Sequence, residues 1–265
     1  MKRLLTIAGS DSGGGAGIQA DLKTFAAHGT YGTSAITALT AQNTRGVTGV
    51  HAVPAEFVTL QIEAVVGDIG CDAVKTGMLA TAAIVEAVAA AVESFDLPNL
   101  VVDPVMVAKG GDRLLDDDAV HTMRSALLRL ARVVTPNVPE AEVLSGMAIH
   151  SLDDMREAGH RILRLGPRAV IVKGGHLAGA TSPDLLISAG GETLLDGPRL
   201  AVASTHGTGC TFASAIAARL AIGDSLEEAA RRAKQYVAGA MQHGIAVGGG
   251  HQPLDHFWQV DRKAQ

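Results

Sequence analysis

A cysteine at the start of a predicted helix is the residue of this chain whose setting best suits chemistry. Cys210 follows Gly207-Thr208-Gly209 and leads into an apolar run predicted to be helical over 210–222. The first turn of a helix carries unpaired N–H groups and partial positive charge, and glycines let an anion approach that backbone closely. The segment therefore predicts a phosphate site, at which a thiol with a pKa lowered from about 8.5 could accept the proton of an alcohol. The simpler interpretation of Cys210 is a small residue that packs the helix start.

Two carboxylates and a lysine follow short β-branched segments. Asp103 directly precedes Pro104, Glu140 follows the next such segment, and Lys173 ends a third. Hard oxygen ligands near a phosphate site suit Mg²⁺, which keeps several waters and takes few protein ligands. We therefore predict a Mg²⁺ site at Asp103 and Glu140, with Lys173 close to phosphate oxygens. Each residue alone has an ordinary explanation: a turn former before proline, a charge at a helix N-terminus, and an edge lysine that covers apolar surface.

Three further side chains could bind a flat ring. The amide of Gln42 has paired donor and acceptor groups that suit an aminopyrimidine or a pyridine edge. Met78 could cover one face of the ring, and Asp21 could bond a polar substituent. The alternatives are a polar loop residue, a methionine at the edge of the core and a first-turn helix carboxylate, and the residues alone do not decide between them.

Alternating strands and helices must position these side chains. The predicted strands are 4–8, 31–39, 73–75, 100–103, 133–135 and 169–173, with helices between them. This alternation predicts a three-layer α/β/α fold with a mostly parallel sheet, whose carboxyl-terminal edge collects the polar clusters. Further predictions are a helix over 116–130, a hairpin turning at Gly190-Gly191 and an edge strand at 200–203. The first loop, 9–17, has neither GxGxxG nor GK[ST], which disfavours a dinucleotide-binding dehydrogenase and a P-loop protein.

Composition narrows the class of protein. The chain has 265 residues, a net charge of −5 and 3% aromatic residues. The negative charge argues against nucleic acid or an anionic membrane as the main partner. Two distant cysteines predict neither a disulfide framework nor a zinc site, and the apolar start is too short for a signal peptide, so we expect a cytoplasmic protein. We expect one domain over 1–265, with a tail from about 259 that could be disordered.

Seven ordered blocks resemble one family. They are 7–21 (IAGSDSGGGAGIQAD), 40–44 (TAQNT), 68–78 (DIGCDAVKTGM), 102–106 (VDPVM), 135–140 (TPNVPE), 172–176 (VKGGH) and 206–210 (HGTGC), followed by a similar tail at 251–257. The chain resembles the bacterial hydroxymethylpyrimidine/phosphomethylpyrimidine kinases of thiamine biosynthesis, in the ribokinase-like superfamily. The resemblance implies transfer of the ATP γ-phosphate to 4-amino-5-hydroxymethyl-2-methylpyrimidine and then to its monophosphate.

The resemblance also implies roles for individual residues. Gln42 would bind the aminopyrimidine, with Gly9, Asp21, Met78 and Val105 lining the site. Asn137 and Glu140 would hold Mg²⁺–ATP with help from Asp103, and Lys173 would lie near the nucleotide. The catalytic group would be Gly207, Thr208, Gly209 and Cys210, with the cysteine as base.

The family resemblance leaves some questions open. It implies a homodimer, and glycines in 9–17 and at 110–111 make both loops candidates to close over the substrate. Most sugar kinases of the superfamily carry aspartate at the position of Cys210, and some relatives with cysteine also phosphorylate pyridoxal. The alternatives are therefore a pyridoxal kinase, a silent regulatory binding protein or, from the neighbouring His206, a cysteine hydrolase.

Overall fold

The carboxyl ends of parallel strands form the edge of the sheet that matters for function. The computed structural model describes residues 1–106, 115–177 and 179–260, so the candidate loop at 110–111 and the end of the tail lie outside it. The strands are β1 (Arg3–Asp11), β2 (Tyr31–Asn43), β3 (Gly46–Ala52), β4 (Ala73–Thr76), β5 (Leu100–Val102), β6 (Val133–Val134), β7 (Ala169–Lys173), β8 (Asp184–Ser188), β9 (Gly191–Leu195), β10 (Ser204–His206) and β11 (Gln252–Pro253).

Nine of these strands build one sheet in the order β3-β2-β1-β4-β5-β6-β7-β8-β9. The pairs from β2 to β7 are parallel, while β3, β8 and β9 pair antiparallel at the two ends. The chain runs from β1 to β2 on one side and later returns to β4 on the other side of β1. This reversal opens a crevice at the carboxyl ends of β1 and β4, where open α/β sheets bind ligands.

Helices cover both faces of the sheet. They are α1 (Gly17–Ala27), α2 (Ala55–Asp68), α3 (Ala82–Ser94), α4 (Asp117–Thr122), α5 (Val138–Ser145), α6 (Leu152–Leu163), α7 (Thr208–Ile222) and α8 (Leu226–Gln242). One apolar cluster joins α2 to α6 to one face, and a second joins α1, α7 and α8 to the other. Successive strand residues point to opposite faces, so Val101 enters one cluster and Val102 the other. The predicted α/β/α layers and mostly parallel sheet are confirmed.

Side chains cap the starts of several helices. Ser151 and Ser225 each accept the N–H three residues on, from Asp154 and Glu228. Such caps satisfy N–H groups that have no partner inside the helix. The hairpin around Gly190-Gly191 is also present as β8 and β9. Among the described residues, no helix is both long and apolar enough to cross a membrane.

Two local predictions are wrong, and one hairpin was missed. The segment predicted as one helix over 116–130 is α4 followed by a π-helical turn, Met123–Leu127, and a 3-10 turn, Leu128–Leu130. Residues 200–203 form no strand; the strand follows as β10. The hairpin of β2 and β3 was not predicted, because all seven residues of β3 are exposed or half-buried and show no apolar alternation.

Candidate active site

A cavity of about 470 Å³ lies at the carboxyl ends of the central strands. Its walls come from β1, β2, β4, β7, from the segments that follow β5 and β6, and from the start of α7. The predicted site residues that line it are Gly9, Gln42, Met78, Asp103, Val105, Asn137, Glu140, Lys173, Gly207, Thr208, Gly209 and Cys210. Tertiary structure therefore brings into one cavity every predicted site residue except Asp21.

The crevice between β1 and β4 forms the apolar part of the cavity. The Gly9 N–H donates to the Met78 carbonyl at 3.1 Å, so the two strand ends are joined directly. A Cβ atom at Gly9 would lie 3.2 Å from the Met78 sulfur, which leaves little room for any larger residue. Gln42 borders the same space, and its Oε1 accepts a bond from Thr40 at 3.2 Å. With Val105 nearby, this region can hold a flat ring between apolar groups and an amide.

The first loop is organised by a buried carboxylate. Asp11 accepts the N–H groups of Gly13, Gly15 and Ala16 at 2.7, 3.0 and 2.8 Å. Its Oδ2 also lies 2.9 Å from Nε2 of His206. These bonds hold the pKa of Asp11 below its usual range despite burial, which alone would raise it. Asp11 thereby joins the first loop to the strand that precedes the start of α7.

Gly207 turns the chain from β10 into α7. Its φ is +84°, and a Cβ atom there would lie 1.9 Å from the carbonyl oxygen of Gly15. Only glycine can adopt this backbone angle at that close approach without strain. A Cβ atom at Gly209 would lie 3.3 Å from Nζ of Lys173, so the helix start directly faces a cation. Free N–H groups, helix dipole and lysine together make an anion site.

Cys210 lies in the first turn of α7 and lines the cavity, as predicted, but its thiol is not acidified. Burial raises the pKa of Cys210 to about 11; the Lys75 charge lowers it, and the carboxylates of Asp21 and Asp103 raise it further. The prediction of a lowered thiol pKa is therefore wrong for the protein without ligands. Burial is the largest of these effects, because it disfavours the charged thiolate.

Asp21 does not line the cavity, which corrects its predicted contact with substrate. Its side chain is fully buried and bonds to Nζ of Lys75 with both oxygens at 2.9 Å. Thr6 and Ser214 donate to the same carboxylate at 2.6 and 2.7 Å. Four bonds use the acceptor capacity of the carboxylate, so Asp21 holds Lys75 in place and leaves substrate contact to others.

The other end of the cavity is acidic and contains a lysine. Nζ of Lys173 lies 3.2 Å from Oδ1 of Asp103. Asn137 caps α5 by accepting the Glu140 N–H at 2.9 Å, and Glu140 accepts the Asn137 N–H at 2.8 Å. Burial raises the pKa of Glu140 to about 7, the Lys173 charge lowers it and Asp103 raises it. A further cation beside these two carboxylates would stabilise their charged forms.

The donor set of this acidic end fits Mg²⁺. In 1–106, 115–177 and 179–260, no group of three or more His, Cys, Asp or Glu residues could hold a metal ion. A metal bound at Asp103 and Glu140 would therefore take few protein ligands and complete its shell with water and phosphate oxygens. That mixed coordination is usual for Mg²⁺ and unusual for zinc.

Among the cavity residues that were not predicted as site residues, three are ionisable groups with buried partners. Lys75 lines the cavity as a buried cation. Its position at a strand end among apolar residues was a sequence signal that could have identified it as a site residue. Asp11 and His206 also line it, but their pairing across the fold has no local sequence signal. Nε2 of His206 is bonded to Asp11, and within the described residues no hydrogen bond joins this histidine to Cys210, so the cysteine–histidine pair of a hydrolase is not formed.

Known proteins resemble this chain over almost its whole length. The family model for phosphomethylpyrimidine kinase matches residues 11–255. A hydroxymethylpyrimidine/phosphomethylpyrimidine kinase from Streptomyces coelicolor is 52% identical over 97% of this chain and 95% of its own. The thiamine biosynthesis bifunctional protein ThiED from Geobacter sulfurreducens is 53% identical over 96% of this chain, which spans about half (52%) of that longer protein.

Solved structures agree with the fold. The ADP complex of a pyridoxal kinase from Bacillus subtilis superimposes with a TM-score of 0.92 and 37% identity, covering 98% of this chain and 100% of that one. The predicted ribokinase-like architecture is thereby confirmed.

Proposed function

Because the chain belongs to the phosphomethylpyrimidine kinase family, we propose that it transfers the γ-phosphate of ATP first to 4-amino-5-hydroxymethyl-2-methylpyrimidine and then to the resulting monophosphate. One observation carries the proposal: a ring-sized apolar crevice and an anion site with a cysteine open into the same cavity. Positioning the two reactants there supplies most of what phosphoryl transfer requires.

The pyrimidine binds in the crevice between β1 and β4. Gln42 forms hydrogen bonds with the amino group and the ring nitrogen, because an amide offers a donor and an acceptor side by side. Met78 and Val105 cover the ring, and the close approach of Gly9 to Met78 selects a flat group. The hydroxymethyl group then points toward the start of α7.

The triphosphate binds at the other end of the cavity. The free N–H groups of Gly207, Thr208 and Gly209 receive the moving phosphoryl group, and Lys173 neutralises phosphate charge. Cys210 is the proposed acceptor of the hydroxyl proton, a role that it can fill only as the thiolate, which burial disfavours. These roles agree with the position of each residue on the cavity wall.

A magnesium ion accompanies the nucleotide. Asp103 and Glu140 would hold it directly or through water, and the Asn137 cap fixes where the Glu140 carboxylate lies. When bound, Mg²⁺ neutralises phosphate charge in the transfer. The Lys173 ammonium also lies beside Asp103, with Nζ 3.2 Å from Oδ1.

Pyridoxal kinase activity is the second candidate, because a pyridoxal kinase structure superimposes so closely on this fold. The test is to incubate the protein with Mg-ATP, the hydroxymethylpyrimidine and pyridoxal together and to identify products by mass spectrometry. We expect the pyrimidine monophosphate and then the diphosphate. Pyridoxal phosphate as the main product would move the assignment to vitamin B6 salvage, and the absence of any phosphorylated product would favour a silent binding protein.

We also propose that the protein is a homodimer in the cytoplasm, as the family resemblance implies. Exposed apolar side chains on α2, Phe57 at 55% and Leu60 at 55%, support a protein contact on that helix. Sedimentation analysis of the protein tests whether it is a dimer. The same measurement on a Phe57→Ser, Leu60→Ser variant tests whether α2 forms the contact between the two copies.

A further inference from the structure

The amide of Gln42 has a close neighbour to which the proposed function gives no role. Thr40 precedes Gln42 by two residues on β2 and lines the same cavity. Its Oγ1 lies 3.2 Å from Oε1 of Gln42 and 2.9 Å from the carbonyl oxygen of Ser10. Thr40 pairs with Asp11 on β1 and with Val50 on β3, so the backbone that carries this hydroxyl group is fixed on both sides.

The backbone of Gln42 is fixed as well, by the first loop. Oγ of Ser12 donates to the Gln42 carbonyl at 2.8 Å and accepts the Gln42 N–H at 2.8 Å. A Cβ atom at Gly13 would lie 3.3 Å from the same carbonyl oxygen, so the loop packs directly on this part of β2. The freedom that remains to Gln42 is the rotation of its side chain, which includes a half-turn of the amide.

A glutamine amide by itself does not choose between two rings with opposite hydrogen-bond patterns. Half a turn about its last torsion exchanges the oxygen and the nitrogen, and therefore exchanges the acceptor and the donor. The 4-aminopyrimidine presents an amino donor beside a ring-nitrogen acceptor. Its 4-oxo analogue, in which a carbonyl group replaces the amino group, presents an acceptor beside a ring N–H donor. Because the two rings have nearly the same shape, a freely turning Gln42 would bind both.

The single proton of the Thr40 hydroxyl group favours one orientation of the amide. With Oε1 of Gln42 as its neighbour, Thr40 has one proton for two acceptor oxygens, and Nε2 makes no hydrogen bond within the part of the chain that the structure describes. After half a turn of the amide, Thr40 donates to the nearer oxygen, that of Ser10, and accepts an N–H from Gln42. Both contacts are then complete hydrogen bonds. The amide oxygen and its second N–H remain for a ring in the cavity.

We propose that Thr40 is a specificity-determining residue, whose hydroxyl group holds the Gln42 amide with its oxygen free for the amino group of the ring, so that the site accepts the aminopyrimidine and rejects the 4-oxo analogue. The inference rests on the part of the proposed function that places the ring between β1 and β4. Thr40 is a positioning residue, since it acts on the ring through Gln42. With the 4-oxo ring, the carbonyl group would meet the amide oxygen and the ring N–H would meet the amide N–H. Neither pair can form a hydrogen bond, and polar groups left without partners weaken binding.

The test compares the binding of two rings to the protein by isothermal titration calorimetry, without nucleotide. The ligands are 4-amino-5-hydroxymethyl-2-methylpyrimidine and its 4-oxo analogue. For the unaltered protein we expect the amino ring to bind about 100-fold more tightly. Thr40→Val keeps the branched shape and removes the hydroxyl group, so the amide can turn at little cost. We expect the ratio of the two Kd values to fall about tenfold in this variant, the effect of one hydrogen bond.

Three further variants separate this role from a general effect on the fold. Thr40→Ser keeps the hydroxyl group and should restore the ratio of the unaltered protein. Thr48→Val is the matched control, because Thr48 donates to the Ala41 carbonyl at 3.0 Å on the same hairpin but lies outside the cavity lining. In a Gln42→Ala background, Thr40→Val should change the ratio no further, because Thr40 acts through the amide.

The kinase assay provides a second readout. With the amino ring and Mg-ATP, Thr40→Val should raise KM about threefold and change kcat less than about twofold, because the hydroxyl group affects ring binding and not the transferred phosphoryl group. A merely structural role of Thr40 would lower kcat and would weaken the binding of both rings in equal proportion.

The possible outcomes distinguish this inference from the proposed function. A ratio of Kd values in Thr40→Val equal to that in Thr48→Val would overturn the inference, and so would an unaltered protein that binds both rings equally. The expected ratios without any phosphorylated product would overturn the proposed kinase function and support the inference. Binding of neither ring would overturn both.

Discussion

Asp11 and His206 are 195 positions apart in the sequence, yet their side chains lie 2.9 Å apart in the structure. Asp11 ends β1 and gathers the N–H groups of the first loop, while His206 ends β10 immediately before Gly207. The pair therefore sets the distance between the loop under the proposed pyrimidine site and the start of α7. A change at either residue should affect both parts of the cavity.

Replacement of Asp11 by alanine should loosen the first loop. The N–H groups of Gly13, Gly15 and Ala16 would lose their acceptor, which costs about 1–3 kcal/mol of unfolding free energy for an unsatisfied buried group. We expect a lower denaturation midpoint and a higher KM for the pyrimidine. Asp68→Ala removes an exposed carboxylate at the end of α2 and is the control. Equal KM values in the two variants would contradict the proposed role of Asp11 in holding the first loop.

Substitution of Gly207 by alanine should abolish turnover. A positive φ alone costs about 1 kcal/mol in a residue with a Cβ, and here the added atom would also meet the carbonyl oxygen of Gly15 at 1.9 Å. Gly29→Ala is a matched control, because Gly29 has φ +70° but has nothing within 4 Å of an added Cβ. We expect the control to lose some stability and keep its kcat in the kinase assay. Comparable kcat values for both variants would show that the close approach is unimportant.

Glu140→Gln should separate the helix cap from the proposed metal role. A glutamine at this position of a capping box can still accept the Asn137 N–H, so thermal unfolding should change little. Loss of the negative charge should raise the Mg²⁺ concentration needed for half-maximal rate by about tenfold, the effect of about 1.4 kcal/mol.

The matched control is Glu142→Gln in the same helix. Glu142 accepts the Ile149 N–H at 2.8 Å, a bond that glutamine can also make. An unchanged Mg²⁺ requirement in Glu140→Gln, measured as the rate against Mg²⁺ concentration at fixed ATP, would remove Glu140 from the metal site.

His256 should make folding stability depend on pH between about 4 and 6.5. Burial lowers the pKa of His256 to about 4, with a smaller lowering by Lys23 and an opposing effect of Asp255. The unfolded chain, with a histidine pKa of about 6.5, binds the proton over this range and the folded protein does not. Stability is therefore complete above pH 6.5 and falls as the pH drops toward 4, by on the order of 3 kcal/mol.

The measurement is the free energy of unfolding against pH for the protein and for His256→Gln. Glutamine can keep a hydrogen bond to Thr211, which His256 makes at 3.0 Å, but it does not titrate. The variant should show a flatter profile between pH 4 and 6.5. His51→Gln, at an exposed position of β3, is the control and should leave the profile unchanged. A profile for His256→Gln that matches the parent protein would show that another group controls acid unfolding.

The sequence determined the layers of the fold and most of the cavity. Buried strands such as β7 are short apolar runs, and their alternation with helices of period 3.6 needs no knowledge of distant contacts. The rule that ligands lie at the carboxyl ends of such strands then placed Asp103 and Lys173 at one edge. Where local signals were mixed, β3 was missed and the helix predicted beyond α4 was wrong, because packing against neighbours decided the backbone.

Only the tertiary structure decided what the charged residues do. The sequence left Asp21 open as an ordinary helix carboxylate, yet it is the buried counterion of Lys75, 54 positions away. Cys210 has the helix position that would acidify a thiol, yet burial and two carboxylates raise its pKa to about 11. Hydrogen-bond partners and desolvation depend on which segments pack together, and electrostatic energies depend steeply on both, so residue type and spacing predict the members of this site but not their charge states.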